Sequence, residues 1–74
     1  MSAYRNDSRV QIGLYDAYVG DHYIFAATRD DWVVGPREAR SFMDDNDAIG
    51  EVIERCPHFT SFDEAIRSLI GDPQ

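Results

Sequence analysis

The chain has 74 residues, of which 43% are apolar and 28% are charged, and its formal net charge is −7 at pH 7. This length and composition suit one small acidic domain over residues 1–74, and they exclude a second domain or a large internal cofactor cavity within those residues. A sequence pI near 4.4 argues against direct binding to nucleic acid or to anionic lipid, because phosphate binding requires a basic surface.

Cysteine use and hydropathy favour a cytoplasmic protein. The single cysteine, Cys56, cannot form an internal disulfide, which excludes a small disulfide-stabilised secreted domain. Residues 1–7 contain no apolar stretch typical of a signal peptide, and no apolar run reaches the length of a membrane span. We expect residues 1–7 and 72–74 to be frayed.

Hydrophobic alternation predicts three antiparallel strands in the first half of the chain. They lie over about residues 9–18, 22–28 and 31–34. In the first, Val10, Ile12 and Leu14 alternate with polar residues or glycine, which is typical of a half-buried strand. Gly20 and Asp21 mark a hairpin turn before the second strand.

Three helices are predicted in the second half of the chain, over about residues 36–43, 46–56 and 62–70. For the first, an extended conformation over 38–42 is the alternative. The second helix follows several candidate N-cap residues in the run 44–47. The third has a capping box at Ser61 and Glu64 and ends before Gly71. The sequence therefore predicts an α+β domain in which a three-stranded β-meander carries the helices on one face.

The other face of this predicted sheet is more apolar than a solvated surface requires. If the helices cover the first face, Tyr15, His22 and Ile24 point to the opposite side with Ala17 and Ala26. Tyrosine is enriched at protein interfaces. We therefore expect Tyr15, His22 and Ile24 to form a second interface, covered by a second copy of the chain or by a partner.

The net charge is concentrated in one part of the chain. Residues 1–29 contain three arginines and three aspartates, which cancel, so the whole net charge comes from residues 30–74. Five acids follow one another there with no intervening base: Asp44, Asp45, Asp47, Glu51 and Glu54. Helical periodicity places most of them opposite the apolar stripe of the second helix. The alternative is an ordinary solvated helix face that contributes only solubility.

The same segment resembles a calcium-binding loop in part. Asp45, Asp47 and Gly50 fit the first, third and sixth positions of such a loop. Ile49 and Cys56 occupy the fifth and twelfth positions, where oxygen ligands are required. We therefore expect no metal site in this segment.

Two further groups of residues bear on catalysis. Cys56 and His58 are the residue types of a cysteine nucleophile and its base, yet the sequence supplies no third group to orient them. Asp30, Asp31 and Glu38 have the chemistry of a magnesium site, but adjacent acids in a turn rarely converge. We expect no catalytic residue, no metal and no cofactor.

These features predict a non-enzymatic acidic protein that inhibits or blocks the basic, nucleic-acid-binding surface of a partner protein. The five consecutive acids are the predicted partner-binding residues. Phage-encoded inhibitors of bacterial defence nucleases, such as anti-CRISPR and anti-restriction proteins, and nuclease immunity proteins are similar in size and charge. The alternative is a homodimeric structural or accessory subunit that uses the tyrosine-bearing sheet face. A small metal-dependent hydrolase is the third hypothesis.

Overall fold

The computed structural model describes residues 2–73, which form an α+β fold around one antiparallel sheet. Five strands follow one another across the sheet in chain order: β1 (Val10–Ile12), β2 (Asp16–Val19), β3 (His22–Thr28), β4 (Asp31–Pro36) and β5 (His58–Phe59). Three helical segments accompany them: a 3₁₀ helix (Arg37–Phe42), α1 (Asn46–Arg55) and α2 (Phe62–Ile70). Within the described range, no helix combines the length and apolar character needed to cross a bilayer.

The predicted three-stranded meander is coarser than this sheet, because the segment 9–18 contains two strands. Ile12 pairs with Ala17 across a tight hairpin, and the Gly13 N–H donates to the Asp16 carbonyl at 2.9 Å. A Cβ at Gly13 would lie 2.0 Å from Asp16 Oδ1, so a larger residue there would require the Asp16 side chain to move. The hairpin therefore turns at the two residues between Gly13 and Asp16.

Helices cover both faces of the sheet, so the prediction that they pack on one face is wrong. Ile24 of β3 packs towards α2, whereas its neighbours Tyr23 and Phe25 pack towards α1 and the 3₁₀ helix. The α2 side buries Val10, Ala17, Val19, Ile24, Val34, Ala65 and Ile66. The α1 side buries Tyr23, Phe25, Val33, Ala39 and Ile49. A central strand that is apolar on both faces requires such a cover on each side.

The N-terminal turns pack against α2, in contrast to the expectation that residues 1–7 fray. Tyr4 is 0% exposed, and its hydroxyl donates to the Gly71 carbonyl at 2.5 Å. The Ser2 hydroxyl donates to Asp63 Oδ1 at 2.6 Å. Met1 and Gln74, the outermost residues of the ends expected to fray, lie outside the described residues.

Candidate functional site

Five acidic residues lie along α1 and just before it, and all five are exposed. We call them the acidic face: Asp44, Asp45, Asp47, Glu51 and Glu54. Asp47, Glu51 and Glu54 share one side of α1, because residues three and four apart are neighbours on a helix surface. Within residues 2–73, none of the five takes part in an ion pair.

The opposite side of α1 fixes the acidic face to the sheet. Ile49, Val52 and Ile53 belong to the apolar cluster that includes Tyr23 and Phe25 of β3. Because this stripe packs on the sheet, the helix has one orientation and its charged side points outwards.

Asp45 has a structural role within the acidic face. Its Oδ1 accepts hydrogen bonds from the backbone N–H groups of Asp47 and Ala48, both at 3.1 Å. This N-cap satisfies two backbone donors at the start of α1. The other four acids have no such bond within the described residues, so their carboxylates are available to a partner.

Helix stability does not account for Glu54, the last acid of the face. An acid in the first turn, such as Asp47, is favoured by the helix dipole. Glu51 lies beyond that turn, and Glu54 lies in the last turn, where a negative charge is unfavourable. The like-charged pairs Asp47 with Glu51 and Glu51 with Glu54 each cost about 0.2–0.5 kcal/mol. Arg55, four residues after Glu51, offsets one of these pairs by a similar amount. The acid whose position is unfavourable for the helix is therefore Glu54.

The structure does not bring Tyr15, His22 and Ile24 together. Ile24 is 0% exposed beneath α2, so the prediction that it lies on an uncovered face is wrong. His22 pairs with Val19 and Pro36 at one end of the sheet. Tyr15 lies at the other end, in the turn before β2. The homodimer hypothesis thereby loses the continuous sheet face on which it depended.

Tyr15 instead contributes to a groove beside the β1–β2 turn that the sequence pattern did not reveal. Leu14 and Tyr15, which we call the hairpin tip, are 86% and 78% exposed. The adjoining tip groove has a volume of about 460 Å³, and Trp32 and Phe62 also line it. Their rings meet edge to face with centroids 5.0 Å apart. Gly13 before two large apolar residues was the one sequence signal for this exposed turn.

His58 is bound on both sides of its ring and is not directed at Cys56. Its Nδ1 lies 2.6 Å from Asp31 Oδ1, and its Nε2 contacts the Ile53 carbonyl. The contact with the Ile53 carbonyl, followed by the bond to Asp31, raises the pKa of His58 above its ordinary value. With both nitrogens engaged, the imidazole is not positioned as a base for the thiol.

The carboxylates considered for metal binding differ in their surroundings. Asp31 is paired with His58, whereas Asp30 and Glu38 are exposed. Across residues 2–73, no group of three or more histidine, cysteine or acidic side chains is arranged to hold a metal ion. In the segment compared with a calcium loop, Asp45 caps α1.

Comparison with known proteins gives no relative: no family model matches the chain, and neither a curated protein nor a solved structure matches it.

Proposed function

We propose that this protein is a non-enzymatic binding protein whose acidic face docks on a basic, nucleic-acid-binding surface of a partner protein. The observation that carries the proposal is the set of exposed carboxylates on α1 without a cationic partner inside the described chain. Such a surface attracts a partner of opposite charge and accelerates its encounter.

The spacing of these carboxylates supports a partner that binds phosphates. Asp47 and Glu54 are seven residues apart, which corresponds to about 10 Å along a helix axis. One DNA strand carries its phosphates about 3.4 Å apart along the axis, so three phosphate steps also cover about 10 Å. The acidic face therefore presents a row of negative charges about as long as three phosphate steps, which a basic groove of the partner can bind.

The rigidity of the face also supports this function. Asp45 caps α1, and the apolar stripe of α1 packs on β3 and β4. The carboxylates are therefore presented on a backbone that does not have to be ordered on binding, which lowers the entropic cost of association.

The test is capture of partners from a lysate of the source cells by three forms of the protein at low and at high salt. The first is the wild type. The second neutralises the acidic face with Asp47→Asn, Glu51→Gln and Glu54→Gln. The third is a charge-matched control with Asp21→Asn, Asp30→Asn and Glu38→Gln, which changes three other exposed acids.

We expect a nucleic-acid-binding protein to be retained by the wild type and by the control, and to be lost from the neutralised face. Retention should fall at high salt, because exposed charges separated by more than a Debye length are screened. Equal retention by the two triple variants would show that total charge, and not the acidic face, determines binding. Circular dichroism verifies that each variant is folded.

A further inference from the structure

The hairpin tip exposes two large apolar side chains for which the fold gives no reason. Leu14 is 86% exposed and Tyr15 is 78% exposed, and Ile12 beside them is 40% exposed. These are the large hydrophobic residues that stand out as exposed among residues 2–73. A cluster of apolar side chains at one place on a small acidic protein marks a contact surface.

The tip groove beside this turn combines aromatic walls with a negative charge. Tyr15, Trp32 and Phe62 contribute rings to its lining, and Asp16 and Asp63 contribute carboxylates. The Asp16 carboxylate already accepts a hydrogen bond from the Tyr23 hydroxyl at 2.6 Å. No arginine lines the groove among the described residues. Aromatic faces attract cations, and arginine in particular stacks on them.

Among residues 2–73, Asp63 accepts hydrogen bonds from neutral donors. Oδ1 accepts from the Ser2 hydroxyl at 2.6 Å, and Oδ2 accepts from the Ala3 N–H at 2.9 Å. No ion pair involving Asp63 occurs within residues 2–73. Arg67 lies close enough to interact electrostatically with Asp63 but forms no ion pair with it, so the carboxylate can still bind a cation in the groove.

We propose that the tip groove binds an arginine-bearing, otherwise apolar segment of a partner protein. The guanidinium lies between the aromatic rings and the Asp63 carboxylate, and the flanking apolar side chains cover Leu14 and Tyr15. This site is separate from the acidic face, because the Trp32 and Phe62 side of the sheet is the α2 side, whereas α1 packs on the other.

A second copy of this chain fits the groove less well. The exposed tip side chains amount to a few hundred Å², whereas a stable protein interface buries roughly 800 Å² on each partner. Two copies would also bring together net charges of −7 each. A short segment that is basic and apolar fits better, because it needs little contact area and carries a charge opposite to that of this protein.

The test uses the peptide acetyl-Leu-Arg-Leu-amide and its citrulline counterpart, which has nearly the same shape and no charge. Trp32 is the single tryptophan of the chain, so its fluorescence reports on the groove. We expect a saturable change in Trp32 fluorescence with the arginine peptide and at least tenfold weaker binding of the citrulline peptide. The double variant Leu14→Ser, Tyr15→Ser should bind the arginine peptide about tenfold more weakly, or weaker still.

Two further variants locate the interaction. Asp63→Asn should lower the affinity for the arginine peptide more than the affinity for the citrulline peptide, because only the former carries a charge. A fall shared by both peptides measures the loss of the hydrogen bond from the Ala3 N–H to Oδ2. Neutralising the acidic face with Asp47→Asn, Glu51→Gln and Glu54→Gln should leave both affinities unchanged. Absence of a saturable response, equal binding of the two peptides, or full binding by the tip variant would each overturn the proposal. None of these results depends on the acidic face.

Discussion

His58 joins three parts of the fold through its two ring nitrogens. It belongs to β5, its Nδ1 lies against Asp31 of β4, and its Nε2 lies against the Ile53 carbonyl of α1. A carboxylate and a carbonyl can only accept, so both contacts are satisfied together only by the protonated imidazolium. This explains why the pKa of His58 is raised, first by the Ile53 carbonyl and then by Asp31.

The free energy of unfolding should therefore depend on pH through His58. A raised folded pKa means that the stabilisation is fully present below the unfolded value of 6.5 and is lost as the pH rises through the folded pKa. Because the side chain is more than one third exposed, we expect a small effect. Urea unfolding of the wild type and of His58→Gln, at pH values on both sides of the His58 pKa, measures this pH-dependent stabilisation.

The difference in stability between the two proteins should shrink as the pH rises. A difference that is constant with pH, or an NMR titration that gives His58 a pKa at or below 6.5, would contradict the assigned contacts.

Tyr4 ties the N-terminal turns to the end of α2. The ring is fully buried, and the hydroxyl bonds the Gly71 carbonyl. Tyr4→Phe should lower the free energy of unfolding by about 1–2 kcal/mol, because it removes a hydrogen bond and leaves an acceptor without its donor. The matched control is Tyr15→Phe, which should change stability by less than about 0.5 kcal/mol because Tyr15 is exposed. Equal effects of the two variants would show that residues 2–7 do not pack as described.

At the scale of elements, two glycines near α1 should respond in opposite ways to alanine. A Cβ at Gly35 of β4 would lie 2.8 Å from Val52 Cγ1, whereas a Cβ at Gly50 within α1 would meet nothing within 4 Å. Gly35→Ala should destabilise the protein by about 1–3 kcal/mol through overpacking. Gly50→Ala should stabilise it by up to about 1 kcal/mol.

The origin of the Gly35 effect can be isolated in a double variant. Adding Val52→Ala to Gly35→Ala should recover part of the lost stability, because the smaller side chain removes the clash, and thermal unfolding of both forms measures this. Strictly additive losses from Gly35→Ala and Val52→Ala would mean that α1 does not approach β4 at this point.

The elements that the sequence could predict are those specified by neighbouring residues. α2 is predicted from a capping box at Ser61 and from apolar positions three and four apart. The structure has the apolar positions and the Ser61 N-cap, whereas the Glu64 side chain accepts from the Thr60 hydroxyl. The acidic face is exposed on α1 for the same reason, because helical periodicity is local. By contrast, the alternation of Val10, Ile12 and Leu14 continues unbroken through a hairpin turn, so period alone could not divide β1 from β2.

The remaining differences between the prediction and the structure arise from tertiary contacts, which the local sequence does not specify. The two residues of β5 are a strand only because Phe59 pairs with Trp32 of β4, and so short a segment has no periodicity. The helix that covers each face of β3 could not be assigned either, because Tyr23, Ile24 and Phe25 are apolar on both sides. The position of Tyr15 in the tip groove depended on the turn that the alternation concealed.

At the scale of the whole molecule, the charge of −7 should govern the kinetics of association with a basic partner. We expect the association rate constant to fall with ionic strength, and the dissociation rate constant to change much less. Neutralising Asp47, Glu51 and Glu54 should slow association more than neutralising Asp21, Asp30 and Glu38. Surface plasmon resonance at several salt concentrations separates the two rate constants. If neutralising the acidic face changed only the dissociation rate constant, the lost affinity would come from short-range contacts and not from electrostatic attraction.

If the acidic face occupies the nucleic-acid-binding surface of its partner, this protein and nucleic acid must exclude each other from that surface. The most direct measurement is fluorescence anisotropy of a labelled nucleic acid bound to the captured partner, during titration with this protein. We predict that the wild type and the Asp21→Asn, Asp30→Asn, Glu38→Gln control release the nucleic acid, and that the Asp47→Asn, Glu51→Gln, Glu54→Gln variant does not at the same concentrations. A ternary complex, in which wild-type protein and nucleic acid remain bound to the partner together, would contradict the account.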